Sequence, residues 1–326
     1  MVMEYLVLFS VSLGAVWQVR RLALAKGLID IPNERSSHVI ATPRGGGLGF
    51  VLVFSLLGLV SCYNTPFSLP LLTTLCCSIG ISVLSFVDDW LSLSAKMRLL
   101  TQLIIATVGL VGLTLFSIAP WPIGVSPFAL LGIVWFLNLY NFMDGTDGLA
   151  ALEAISILTP MGVLFQASHE TLLAMLCFSL SACVAGFLVF NLPKAKIFMG
   201  DVGSTFLGFF IAMMTLYTAF NTNVNWLYWI LLSTCFWLDA SVTLLRRVLN
   251  RESITQAHKT HAYQRLHQSG WSHGQLLVGL LIVNTVLIVF ASFAFLGYFS
   301  PQIATLLGLF IGLSILGAIE YKQPRQ

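Results

Sequence analysis

Apolar residues run through this chain in long, nearly unbroken stretches, without the alternation of a half-buried strand or the one-sided period of a surface helix. Polar punctuation divides the chain into eleven such stretches: residues 3–19, 47–62, 69–87, 99–118, 127–142, 149–165, 171–190, 202–220, 226–245, 275–295 and 301–319. Each approaches the ~20 residues that carry a helix across ~30 Å of hydrocarbon. The predicted fold is therefore all-α and polytopic, with about eleven transmembrane helices forming one membrane-embedded domain over residues 1–326. Composition agrees: 57% of the residues are hydrophobic and 9% charged, against roughly 25% charged in soluble domains, and the mean hydropathy is +0.90. The six cysteines fall in or beside apolar stretches, where they read as small packed hydrophobes and not as a disulfide framework.

The charges give the topology. With eleven crossings, all sixteen Lys and Arg residues fall on one side, and the five opposite loops, near Asn64, Pro120, Ser168, Asn223 and Phe299, hold none. A Lys/Arg excess marks the cytoplasmic side, so the amino terminus is expected outside and the carboxyl terminus inside. The first stretch does not read as a cleaved signal peptide, because its positive charges follow the apolar run. Eleven of the thirteen acidic residues also fall toward the cytoplasmic side. Asp and Glu obey no orientation rule of that strength, so their concentration there points to chemistry on the inner face. A net charge of +3 does not argue for a nucleic-acid partner, and none is expected.

Polar residues cluster in five places. Asp88 and Asp89 end the third stretch, followed by Lys96, Arg98 and Gln102; adjacent carboxylates repel unless something cationic offsets them, which makes a divalent-metal or proton-handling site. Asn138 and Asn141 share a helix face, with Asp144 and Asp147 in the following turn, each followed by a glycine, Gly145 and Gly148; such amides are costly to hold in lipid unless something polar binds them. Phe198-Met199-Gly200-Asp201 opens the eighth stretch and Arg44-Gly45-Gly46-Gly47 the second. Free amides at a helix start attract anions, and Asp201 beside them suits a metal-bound phosphate. The longest inner loop carries His258 and His261, able to serve as proton donors, a phosphate clamp or metal ligands; phosphate contact is favoured over zinc because no cysteine is near. Asp239, in the ninth stretch, shares a face with Arg246 and is expected to need a partner such as a salt bridge.

In this order, Asp30-x-Pro32, Thr42-Pro43-Arg44-Gly45-Gly46, Asp88-Asp89 with Lys96, Arg98 and Gln102, Asn138-x2-Asn141-x2-Asp144-Gly145-x-Asp147-Gly148, and Phe198-Met199-Gly200-Asp201-x-Gly203-Ser204 resemble the polyprenyl-phosphate N-acetylhexosamine-1-phosphate transferase family. That family includes the phospho-MurNAc-pentapeptide and O-antigen-initiating transferases, and the resemblance runs from Asp30 to about His267. It implies a bacterial cytoplasmic-membrane enzyme that moves a sugar 1-phosphate from a UDP-N-acetylhexosamine to polyprenyl phosphate and releases UMP. It implies Mg²⁺, replaceable by Mn²⁺, at Asp201 with Asp88, and Asp88, Asp89 and Asp201 as the catalytic carboxylates. It further implies that Arg44, Lys96, Arg98, Asn138, Asn141, Asp144, Asp147, Phe198, His258 and His261 bind substrate. A homodimer is a candidate assembly. The loop reads His258-Lys259-Thr260-His261 where the pentapeptide transferase has consecutive histidines, so it looks more like the O-antigen-initiating type.

Two rivals fit less well. An ion-coupled transporter places its polar site near the midplane, where Asp239 is the sole candidate. A CDP-alcohol phosphatidyltransferase shares the opening Asp144-x2-Asp147-Gly148-x2-Ala151, but Leu152 stands at its arginine position.

Overall fold

A computed structural model describes residues 2–32, 41–63, 69–117, 123–252 and 259–322. Its helices are α1 (Val2–Lys26), α2 (Gly47–Tyr63), α3 (Leu69–Leu91), α4 (Ala95–Phe116), α5 (Ser126–Met143), α6 (Leu149–Ala167), α7 (Thr171–Asn191), α8 (Asp201–Asn221), α9 (Leu227–Leu232), α10 (Thr234–Leu249), α11 (Ala262–Gln268), α12 (His273–Phe295) and α13 (Pro301–Lys322). Among the described residues nine of these are long and apolar enough to cross a membrane, and α2 is a shorter apolar helix. The chain is an all-α, multi-pass membrane protein.

The stretch 226–245 departs from the expectation of one straight span. It divides at Ser233 into α9 and α10. Ser233 Oγ donates to the Trp229 carbonyl at 2.7 Å, and Thr234 Oγ1 to that of Leu231 at 2.7 Å. Hydroxyls bonding back onto the preceding turn compete with the helix ladder and bend it. Hydropathy is blind to such a break.

The centre of the bundle is α8, packed against α3 and α5, with α6 against α7 beside it. A helix apolar on every face has to be buried, and α8 is covered almost continuously from Val202 to Thr215. α2 reaches its start through a glycine crossing: a Cβ on Gly47 would lie 2.5 Å from Gly203 Cα. Small residues let helix backbones approach closely in membranes, where apolar area alone does not drive association.

A two-residue antiparallel pairing, β1 (Ile29–Asp30) with β2 (Thr42–Pro43), is the one sheet among the described residues. It lies at the end of the bundle where the polar groups meet. There Arg20 Nε donates to the Lys196 carbonyl at 3.1 Å, and Arg246 and Arg265 both pair with Glu320 at the end of α13. Each contact joins helix ends that the charge pattern had placed on a single side.

Candidate active site

The site is built where three chain segments converge on the start of α8. The Arg44–Gly47 turn runs beside Phe198–Gly200: Phe198 N donates to the Pro43 carbonyl at 2.8 Å, Gly46 N to the Phe198 carbonyl at 2.8 Å, and Gly47 N to the Met199 carbonyl at 2.9 Å. This puts Arg44 next to Asp201. α3 comes alongside through Ser82 Oγ, which donates to the Val202 carbonyl at 2.9 Å, and through the Ser85–Thr205 hydroxyl pair at 2.9 Å. Asp88 and Asp89, in the last turns of α3, are thereby carried to the same place.

Their charges are partly matched. Arg98 Nη1 lies 3.1 Å from Asp88 Oδ2, and Arg44 Nη2 lies 3.5 Å from Asp89 Oδ1. Leu93 N also donates to Asp88 Oδ1 at 2.8 Å, fixing that carboxylate as the helix ends. Asp201 sits in the field of Asp89, Arg98, Asp88 and Arg44. Three carboxylates against two guanidinium groups leave one negative charge over, which suits a hard divalent cation. Among the described residues no three His, Cys, Asp or Glu side chains converge tightly enough to hold a metal unaided. Lys96 is exposed on the first turn of α4.

The second wall is the turn from α5 into α6. Ser204 Oγ donates to Asn141 Oδ1 at 2.5 Å, tying α5 to α8. Asn138 forms a reciprocal amide pair with Gln102 of α4, its Nδ2 donating to Gln102 Oε1 at 2.9 Å. Asp144 terminates α5. Desolvation and then the nearby Asp201 push its carboxyl well above the usual range. Asp147 behaves oppositely. Burial opposes its charge, but a bond from His273 and the amides of Ala195 and Lys194 outweigh it and hold the carboxyl below its ordinary value. Tyr263 of α11 donates its hydroxyl to the Phe142 carbonyl at 3.2 Å and lies over Gly145, where any Cβ would strike that hydroxyl.

The last inner loop is partly described. His258 lies outside the described residues. His261 caps the start of α11, is 2% exposed, and stacks on Tyr263. The partner expected for Asp239 is the α11 amide of Ala262, at 3.0 Å from both carboxylate oxygens, with Thr243 Oγ1 at 3.2 Å; Arg246 turns to Glu320 instead. Asp239 thus holds down α11. Phe198 is half-buried. The structure brings Arg44, Asp88, Asp89, Arg98 and Asp201 together, with Asn141 and Asp144 adjoining.

Sequence reasoning passed over two contacts. His273 on Asp147 is one, and its signal was the Ser272-x2-Gln275 capping box that fixes the start of α12. The other joins Glu153, fully buried in α6, to Asn284 of α12, whose Nδ2 donates to Glu153 Oε2 at 2.6 Å. Beside the α5–α6 turn, a cavity of about 520 Å³ is lined by Met143, Leu149, Cys235, Asp239, Tyr263 and Lys322.

A multi-pass bundle with carboxylates and arginines gathered at one end is a setting for chemistry at the lipid–water boundary. Residues 71–219 match the profile of glycosyl transferase family 4. A probable undecaprenyl-phosphate N-acetylglucosaminyl 1-phosphate transferase of Bacillus subtilis (strain 168) is 31% identical over 280 residues, 82% of this chain and 77% of that protein. The undecaprenyl-phosphate alpha-N-acetylglucosaminyl 1-phosphate transferases of Salmonella typhi and Yersinia pestis are 26% and 28% identical, covering 92% and 87% of this chain and 85% and 81% of their own. The chain belongs to this family of polyprenyl-phosphate N-acetylhexosamine-1-phosphate transferases.

Proposed function

We propose that the protein transfers N-acetylhexosamine 1-phosphate from a UDP-sugar to undecaprenyl phosphate on the cytoplasmic face of the bacterial inner membrane. The convergence of Asp88, Asp89 and Asp201 with Arg44 and Arg98 carries this reading, supported by what the relatives are named for. An acceptor phosphate oxygen attacks the sugar-bearing phosphorus, the bond to the bridging diphosphate oxygen breaks, and UMP leaves as polyprenyl diphosphate sugar forms. A phosphomonoester has a second pKa near ~6, so the acceptor is largely a dianion at neutral pH and needs little help from a base.

The main task is to bring two anions into line and offset their charge. Arg44 and Arg98, each already within reach of a carboxylate, can exchange part of that pairing for substrate phosphate. Asn141 and Asp144 face the nucleotide-sugar, and Phe198 offers a ring to uracil. The hard oxygens of Asp201 and Asp88 suit Mg²⁺, or Mn²⁺ in its place, and such an ion would supply Lewis-acid neutralisation of the diphosphate. N-acetylglucosamine is the sugar to try first, and the product would begin a cell-envelope glycan such as lipopolysaccharide O-antigen.

The test is purified protein given undecaprenyl phosphate and a panel of UDP-N-acetylhexosamines. UMP should appear with one or a few of them, cease with EDTA and return with Mg²⁺. Solute uptake without UMP would instead establish a transporter.

A further inference from the structure

We infer that His273 is a positioning residue for the transferase reaction: through Asp147 it sets where the nucleotide-sugar turn stands relative to Asp201. The inference rests on the function proposed above and concerns a residue outside every motif that carries it.

Residues 144–148 form a turn with two glycines, Gly148 at φ +76°, and glycine-rich backbone supplies no stiffness of its own. The turn is held by Asp147, which is 7% exposed. A buried carboxylate persists as an anion only when several donors face it. Asp147 Oδ2 accepts from Lys194 N at 3.0 Å and Ala195 N at 3.2 Å, and lies 3.1 Å from His273 Nδ1. Lys194 has φ +69°, a left-handed conformation that side-chain-bearing residues rarely adopt. Here it accompanies two successive amides aimed at one oxygen, the nest geometry that binds anions. The side-chain donor that the described residues offer Asp147 is His273.

One carboxylate therefore joins three segments. The turn carries Asp144 three residues earlier, and the 192–200 segment leads straight into Asp201. The third segment is the start of α12, where Ser272 Oγ accepts from Gln275 N at 3.2 Å and Gln275 Oε1 accepts from Ser272 N at 2.8 Å, so His273 has a fixed base. The ring of His267 packs on it at 4.7 Å. A parallel strap runs from Gly148 N to Asn191 Oδ1 at 2.9 Å and from Asn191 Nδ2 to the Ile197 carbonyl at 3.0 Å. This strap ties the same turn to the 192–200 segment but has no hold on α12. On the α12 side Leu277 packs over Gly148, where a Cβ would lie 3.0 Å from its Cδ1, and His273 supplies the polar anchor.

The geometry makes a sharp distinction between two conservative variants. In His273→Asn the amide nitrogen stands where Nδ1 stood; in His273→Gln it stands nearer Nε2. With UMP release as the readout, His273→Asn should keep at least half the wild-type kcat. His273→Ala and His273→Gln should lose about 10- to 100-fold, the scale of a misplacement near 1 Å, with KM for the UDP-sugar raised and KM for undecaprenyl phosphate little changed. The comparison of Asn with Gln remains decisive if the alanine variant folds poorly, since both keep a polar amide. A glutamine variant as active as the asparagine one, or an alanine variant at wild-type turnover, overturns the inference while the transferase reading stands. A wild-type protein that forms no UMP from any UDP-N-acetylhexosamine takes both down.

Discussion

Ser204 donates its hydroxyl to Asn141 Oδ1 at 2.5 Å, closing a bond between two segments 63 residues apart in the chain. Asn141 belongs to the end of α5 that turns into Asp144, and Ser204 lies one turn inside α8 from Asp201. The bond sets the spacing between the two halves of the proposed site. A buried side-chain hydrogen bond is worth about 1 kcal/mol, so Ser204→Ala should slow UMP release about fivefold with little change in expression. An assay of turnover in membranes normalised to protein content checks this.

Gly145 leaves room for nothing beyond hydrogen under the Tyr263 hydroxyl. Gly145→Ala forces that side chain or the turn to move, an overpacking cost of about 1–3 kcal/mol, and turnover should fall about fivefold or more. Removing the hydroxyl should relieve the clash. Gly145→Ala combined with Tyr263→Phe is expected to recover part of the loss, and a double-mutant cycle in UMP release and thermal unfolding measures the coupling.

Lys194 holds a backbone conformation that costs an L-residue about 1–2 kcal/mol. Glycine there relieves the strain, though it also enlarges the entropy of the unfolded chain. Lys194→Gly should unfold at a temperature no lower than wild type in detergent; a drop of several degrees would mean the side chain contributes contacts of its own.

The depressed Asp147 carboxyl predicts a pH window. A group whose folded-state pKa lies below its unfolded value, ~3.9 for Asp, adds stability that is present above that value and fades as pH falls through the folded one. Burial works against Asp147, yet the bonds from His273, Ala195 and Lys194 win. The stability difference between wild type and Asp147→Asn should therefore persist from neutral pH to about pH 5 and shrink below about pH 4. Thermal unfolding at stepped pH follows it.

Much of this was visible in the chain because a membrane enforces it. Helix lengths follow the hydrocarbon thickness, which is why the expected stretches 69–87, 171–190 and 301–319 lie inside α3, α7 and α13. Grouping of Asp88, Asp89 and Asp201 was legible because carboxylates at helix ends on one side have few other reasons to gather. The break at Ser233 was not, since its hydroxyl bonds back to the Trp229 carbonyl, a contact that hydropathy does not register. Nor was the use of Asp239: Arg246, seven residues on, suited it by helix period, but Arg246 found Glu320 some seventy residues away, leaving Asp239 for the amide of Ala262. His273 looked uninformative for a similar reason, because its partner lies across the fold. Local spacing reveals a residue's own helix face and not the neighbour that packing brings to it.

The most direct test of the central claim is the stoichiometry of products from purified protein with UDP-N-acetylglucosamine, undecaprenyl phosphate and Mg²⁺, run in parallel with Asp201→Asn. The account predicts one UMP for each undecaprenyl diphosphate sugar formed, and no detectable turnover by the variant although it inserts and purifies normally. Wild-type turnover in Asp201→Asn, or release of UDP in place of UMP, would contradict it.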